Sequence, residues 1–240
     1  MKARIKFRKY GPLRFIGHLD VMRFFQKLMR RSDIPIAFTG GYSPHMIMSF
    51  ASPLGIGLSS DGEYLDIELT SPVDSLEAVK RMNAECVEGI QVLSLRRISD
   101  EKKMTGMTIL SAADYLVSLK NGSLPDDWKK RFEDFMSAQE IRVLKQTKRS
   151  EREVDIRPQI FQWAFQGDDI YLQLAAGSSV NLKPELVMDT FLSRCGIPED
   201  TAVFACHRLE MYAYRGEEED KKTLVTLESL GEEMVLVKEY

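Results

Sequence analysis

The chain has 240 residues, 44% hydrophobic and 29% charged, which is apolar material enough for one large core or two ordinary ones. Its net charge of -3 hides an asymmetry, because residues 1–60 hold ten Lys or Arg against only Asp20 and Asp33, a net +8, while the remaining 180 carry -11. A local positive field of that kind is what a nucleic acid or an acidic protein meets, and the bland alternative is an unevenly charged, solvated surface. No apolar run of about 18 residues occurs, and MKARIKFRKY has charges where a signal peptide needs an apolar stretch, so the expected location is the cytoplasm. Cys86, Cys195 and Cys206 are too widely spaced for a disulfide framework or a CxxC metal site and read as small hydrophobes; no metal or cofactor is expected.

Residues 3–9, ARIKFRK, alternate Ile5 and Phe7 with Arg4, Lys6 and Arg8, as a half-buried strand does. A helix from about His18 to Arg31 follows. Val21, Phe24, Phe25, Leu28 and Met29 fall on one of its faces, and Arg23, Lys27, Arg30 and Arg31 gather on the other. Residues 34–60 then contain no Asp, Glu, Lys or Arg but are rich in Gly, Ser and Pro, with GGYSPH at 40–45. Extended pieces at 34–38 and 46–50 flank this loop, and a strand at 63–70 turns Leu65, Ile67 and Leu69 inward. Asp74 or Ser75 caps a helix carrying Leu76, Val79, Met82 and Cys86 or Val87, and Gly89 ends it before the strand IQVLSLRR. The order is β-α-β-β-α-β, a ferredoxin-like unit.

The polar stretch ISDEKKMTG at 98–106 reads as a linker. Beyond it come a strand near 112–119, a helix WKKRFEDFMSA burying Trp128, Phe132, Phe135 and Met136, and a hairpin from 141 through the charged turn KQTKRSERE to 165 that returns as DDIYLQLAA. A helix with Pro184 in its first turn stops at Gly196, and VFACHRLEMYAYR supplies a last strand. The pattern predicts an α+β fold of two tandem ferredoxin-like domains with antiparallel sheets, at 1–98 and 107–240. The tail after the acidic run GEEED is expected to add KTLVTLESL and MVLVKEY to the second sheet.

Several residues are candidates for function. The helix stripe Arg23, Lys27, Arg30 and Arg31, with Arg14 and His18 before it and Tyr42, Ser43 and His45 in the loop after it, could receive a polyanion: cations and backbone amides meet phosphates, and an exposed aromatic stacks a base. The turn bearing Lys145, Lys148, Arg149 and Arg152 is a second candidate, diluted by Glu151 and Glu153 and equally readable as a solvated hairpin tip. Arg4, Lys6 and Arg8 are expected to pair across the sheet with Asp66 and Glu68, which would remove them as an RNA surface. His18 and His45 are of the residue type suited to a general acid and base and could share one cleft, although a histidine near a helix start more often makes a local hydrogen bond. The glycines match neither a P-loop nor a dinucleotide fingerprint.

The string FIGHLDVMRFFQKLMRRSDIPIAFTGGYSPHMIMSFASPLGIGLSSDGEYLDIEL resembles a bacterial radical-SAM-associated protein family of unknown function, whose members occur beside or fused to a radical SAM enzyme. Weaker similarity continues through EVDIRP at 153–158 and NLKPELV at 181–187. The resemblance implies a radical SAM partner. The chain is not expected to be that enzyme, since Cys195 and Cys206 lie eleven residues apart with no third cluster ligand near them. In architecture, two ferredoxin-like units with a glycine-rich loop also resemble the repeat-associated RNA-binding proteins of CRISPR systems, a likeness that does not settle function. The expectation is a non-catalytic RNA-binding accessory that presents structured RNA, tRNA or rRNA, to the radical SAM partner. Its rivals are an adaptor that docks the enzyme without touching RNA, and a metal-independent endoribonuclease using His18 and His45.

Overall fold

Phe7 of the first strand lies edge-on to Phe25 of the first helix, with ring centroids 4.7 Å apart, and both meet Phe50. Around that contact the computed structural model builds the first of two units; it describes residues 1–147, 150–198, 201–216 and 222–236, without the side chains of 145–152. The protein is mixed α and β with a mostly antiparallel sheet. Unit one comprises Met1–Ala112 and Arg208–Tyr240, and unit two Ala113–His207.

In unit one, β1 (Lys2–Lys9) leads to α1 (His18–Arg31), β2 (Met48–Phe50), β3 (Ser59–Glu68), α2 (Ser75–Ala84) and β4 (Ile90–Arg97). β1 lies between β4 and β3, antiparallel to both, and β2 pairs with β3. The predicted order β-α-β-β-α-β is therefore present here, in the strand order β4-β1-β3-β2. The period-two alternation of β1 and β3 turns Ile5, Phe7, Leu65 and Ile67 onto Val21, Phe25, Leu28 and Met29 of α1, all of them buried. α1 stops where Asp33 takes a left-handed conformation, φ 56°. The chain then folds into an irregular ribbon, closed by bridges Ile36 to Leu69 and Phe38 to Met46, with GGYSPH at its tip.

The stretch expected to be a linker is built into unit one. After a 3-10 turn at Lys102–Met104, a short helix α3 (Gly106–Ile109) buries Gly106, whose N–H donates to Asp66 at 2.7 Å. Sequence polarity pointed to a linker because the bond is made by backbone, which leaves no mark in composition. The C-terminal segment also belongs to unit one, whereas the sequence reading placed it in the second domain. β11 (Thr223–Thr226) pairs with the end of β10 (Ala202–Arg215), Glu232 bridges to Arg97, and Met234 joins the core. The expected strand MVLVKEY is absent from its described part, residues 234–236. Gly62 marks where the backbones of β3 and β10 approach, since a Cβ there would stand 2.6 Å from the Leu209 carbonyl oxygen.

Unit two contains most of β5 (Leu110–Gly122), α4 (Trp128–Ser137), β6 (Arg142–Thr147), β7 (Ser150–Asp155), β8 (Ile160–Gln166), β9 (Asp169–Ala175), α5 (Pro184–Arg194) and the first part of β10. The sheet order is β10-β5-β9-β8, and Phe132 and Phe135 of α4 pack on Phe191 of α5. The single long hairpin expected over 141–175 is two: β6 pairs only with β7, and a 3-10 turn at Arg157–Gln159 containing Pro158 restarts the chain as β8. Among the described residues, no helix is long and apolar enough to cross a membrane.

Candidate nucleic-acid interface

The ten cations of residues 1–60 divide into those the fold consumes and those it leaves in solvent. Arg4 is buried, and its Nε and Nη2 donate to the two oxygens of Asp66 at 2.7 and 3.0 Å, with further bonds to the carbonyls of Leu227 and Met104. Lys6 donates to Glu210 at 2.6 Å and Glu228 at 3.2 Å. Burial pulls the Lys6 ammonium down, but the bond to Glu210 and the charges of Glu210 and Glu228 outweigh it and hold the group above its ordinary value. Tyr64 donates its hydroxyl to the same Glu210, and burial, with that carboxylate, pushes its pKa up. Arg8 pairs with Asp61 at 2.6 Å. The strand cations are thus paired as expected, but Glu68, aligned with Lys2, is not the partner of Lys6 or Arg8; those partners come from β10, from the turn after β11 and from the start of β3.

On α1 the outcome is opposite. Arg23, Lys27, Arg30 and Arg31 are exposed. Arg23 meets Asp20 at 3.3 Å, both well solvated, and Lys27, Arg30 and Arg31 have no ion-pair partner among the described residues. An exposed i,i+3 pair is worth a few tenths of a kcal/mol at most, about 0.2–0.5. All four charges remain available to an anion.

The loop candidates sit past the C-terminal end of α1. The Ile34 N–H donates to the Met29 carbonyl at 3.0 Å, which ties the root of the ribbon to the last turn of the helix. At the tip, Tyr42, Ser43 and His45 are exposed, Tyr42 fully. The His45 ring and N–H both engage the Thr39 hydroxyl, at 3.1 Å each.

Arg14 and His18 belong to the other end of the helix, about 20 Å away along a 14-residue axis. The Arg14 guanidinium lies 4.7 Å over the Phe15 ring. The His18 ring lies edge-on to Phe50 at 5.0 Å and lines a cavity of about 10 Å³ with Lys9, Phe50 and Glu63, room for one water and not for a nucleotide. His18 and His45 therefore have different neighbours, and the cleft they were expected to share is not formed by these contacts. In the wall of the cavity, Glu63 is buried and accepts from Arg208 at 3.0 and 3.3 Å; burial drives its carboxyl above the usual range against the pull of Arg208. Lys9, also buried, donates to the Ile16 carbonyl at 2.9 Å, and burial lowers its ammonium.

Lys148 and Arg149 lie outside the described residues. Arg152 is placed only by its backbone, in β7 opposite Lys145. Among the described residues no three His, Cys, Asp or Glu converge as a metal site. Sequence reading overlooked three exposed apolar residues: Phe15, Leu19 and Ile56 are 58%, 68% and 67% exposed. Leu19 was the available signal, since it falls off the apolar stripe of α1 and lines up with Arg23 and Lys27.

An α+β protein with an electropositive helix and an aromatic-tipped ribbon is the class that fold and site define. The chain belongs to a bacterial family described as an uncharacterized protein conserved in bacteria (DUF2344), which it matches over residues 2–184. No curated protein matches it. A solved structure, a chain in the crystal structure of a Cbf5-Nop10-Gar1 complex, is similar at 13% identity with a TM-score of 0.45, over 87% of this chain and 48% of that one. The protein thus spans about half the length of that chain, and a likeness this distant carries no argument.

Proposed function

We propose that this protein is a cytoplasmic, non-catalytic RNA-binding accessory that presents structured RNA to a radical SAM enzyme. In the same reading its two units are tandem ferredoxin-like domains, a view supported by the matching strand orders β4-β1-β3-β2 and β10-β5-β9-β8. The observation that carries the RNA reading is the state of the α1 cations: Lys27, Arg30 and Arg31 are exposed and unpaired among the described residues, while Arg4, Lys6 and Arg8 of the neighbouring β1 are ion-paired. The radical SAM partner rests on the resemblance of the GHLD, GGYSPH and SFASPLGIG segments.

Titrating bulk tRNA into the protein at low and physiological salt tests the proposal. Each neutralised phosphate releases counterions and adds about 0.7–0.9 to the slope of log affinity against log salt. Affinity that does not change with salt would instead favour the adaptor that docks an enzyme without RNA.

A further inference from the structure

The exposed side of α1 forms a row. Leu19, Arg23, Lys27 and Arg31 recur every four residues, so their positions advance by about 6 Å per step along the axis. Successive phosphates of an extended nucleic-acid strand are separated by a similar distance. The row starts at a platform of different chemistry. Phe15 is exposed with the Arg14 guanidinium 4.7 Å from its ring centre, and Leu19 and Ile56 are exposed as well; a Cβ at Gly17 would stand 3.8 Å from Ile56 Cδ1. The platform is braced from within. The Gly57 N–H donates to the Arg14 carbonyl at 2.8 Å, and the buried Lys9 amine holds the Ile16 carbonyl on the far side of Phe15. Burying a lysine to fix the turn that displays an aromatic ring to water is costly for a surface without a ligand.

We propose that this face binds an extended single-stranded segment of RNA, with successive phosphates on Arg23, Lys27 and Arg31 and one unpaired base stacked on Phe15. The inference rests on the RNA reading above and names the substrate class of that site. A duplex fits poorly, because its bases are already stacked and leave Phe15 nothing to receive. An exposed ring offers stacking to any base, and the guanidinium beneath it adds a cation.

The test uses the full chain, a short unstructured oligoribonucleotide and the blunt duplex of the same sequence, read by fluorescence anisotropy, with thermal melts to confirm folding. The wild type should prefer the single strand. Phe15→Ala should weaken single-strand binding about tenfold and leave duplex binding unchanged, and Phe15→Trp should retain the wild-type preference. Equal affinity for the two probes, or a Phe15→Ala protein that binds the single strand normally, overturns this inference while leaving the RNA reading intact. Binding of neither probe, nor of bulk tRNA, overturns both. A Phe15→Ala protein that keeps its RNA affinity but no longer binds an acidic peptide captured by the wild type would reassign the platform to a protein partner.

Discussion

β1 and α1 carry the same residue types within thirty positions of each other, and the fold treats them in opposite ways. Arg4, Lys6 and Arg8 each meet a carboxylate at 2.6 or 2.7 Å, and for Lys6 that partner lies 204 residues away in sequence. Lys27, Arg30 and Arg31 meet none among the described residues. The difference lies in what each element faces: the outer side of β1 is covered by β10, the turn at Glu228–Leu230 and α3, whereas the outer side of α1 faces water. A count of cations in a segment therefore says little about its field until the pairs are subtracted. Of the cations in residues 1–60, Lys27, Arg30 and Arg31 of the helix are exposed and without an ion-pair partner among the described residues.

That contrast is broken or sharpened by four substitutions. The largest effect is expected from Asp66→Ala, which leaves the Arg4 guanidinium buried without its counter-charge and the Gly106 N–H without an acceptor; denaturant titration should show a loss of about 3–5 kcal/mol. Next, Arg23, Lys27 and Arg30 changed together to Glu should reduce tRNA affinity by about a hundredfold or more at low salt and flatten its salt dependence. The same protein should melt near the wild-type temperature, because solvated substitutions of this kind cost about 0.5 kcal/mol or less each. Arg8→Ala should cost under about 1 kcal/mol although it lies on the same strand as Arg4, because its pair is partly solvated. A loss as large as that of Asp66→Ala would mean that the strand, and not burial, sets the energy.

The smallest effect concerns pH. Burial raises the Glu228 carboxyl, but the Ser94 and Lys6 contacts outweigh it and hold it below the ordinary 4.5. A depressed acid contributes stability above its unfolded value and loses it as pH falls through the folded one. Between pH 4.5 and that lower value, Glu228→Gln should therefore lose stability less steeply than the wild type. Parallel unfolding curves for the two proteins over that interval would remove Glu228 from the network.

Much of the first unit was legible in the sequence because its signals are local. The periodicity of Val21, Phe25 and Leu28 gives α1 its bounds, and the alternation in IQVLSLRR gives β4. The pairing of Arg4 with Asp66 followed from strand order alone. What escaped was carried by backbone or by distance: Gly106 binds Asp66 through its N–H, and Met234 reaches the first core from the far end of the chain. Pro158 was a readable sign that 141–175 held two hairpins, overridden by the run of β-prone residues around it. At the site, the helix stripe was visible as a face, but the separation of His18 from His45 depended on which neighbours each ring found.

Because unit one is made from both ends of the chain, its polar layer closes late during synthesis. Arg4 leaves the ribosome 223 residues before the Leu227 carbonyl it binds, a delay of roughly 10–45 s at 5–20 residues per second. Until then Lys6 lacks both of its carboxylates, whereas Arg4 and Arg8 already have Asp66 and Asp61 on the nascent segment. Unit two, contiguous in sequence, meets no such wait. The late arrival of Glu210, Leu227 and Glu228 is what neutralises Lys6 and closes the last carbonyl over Arg4.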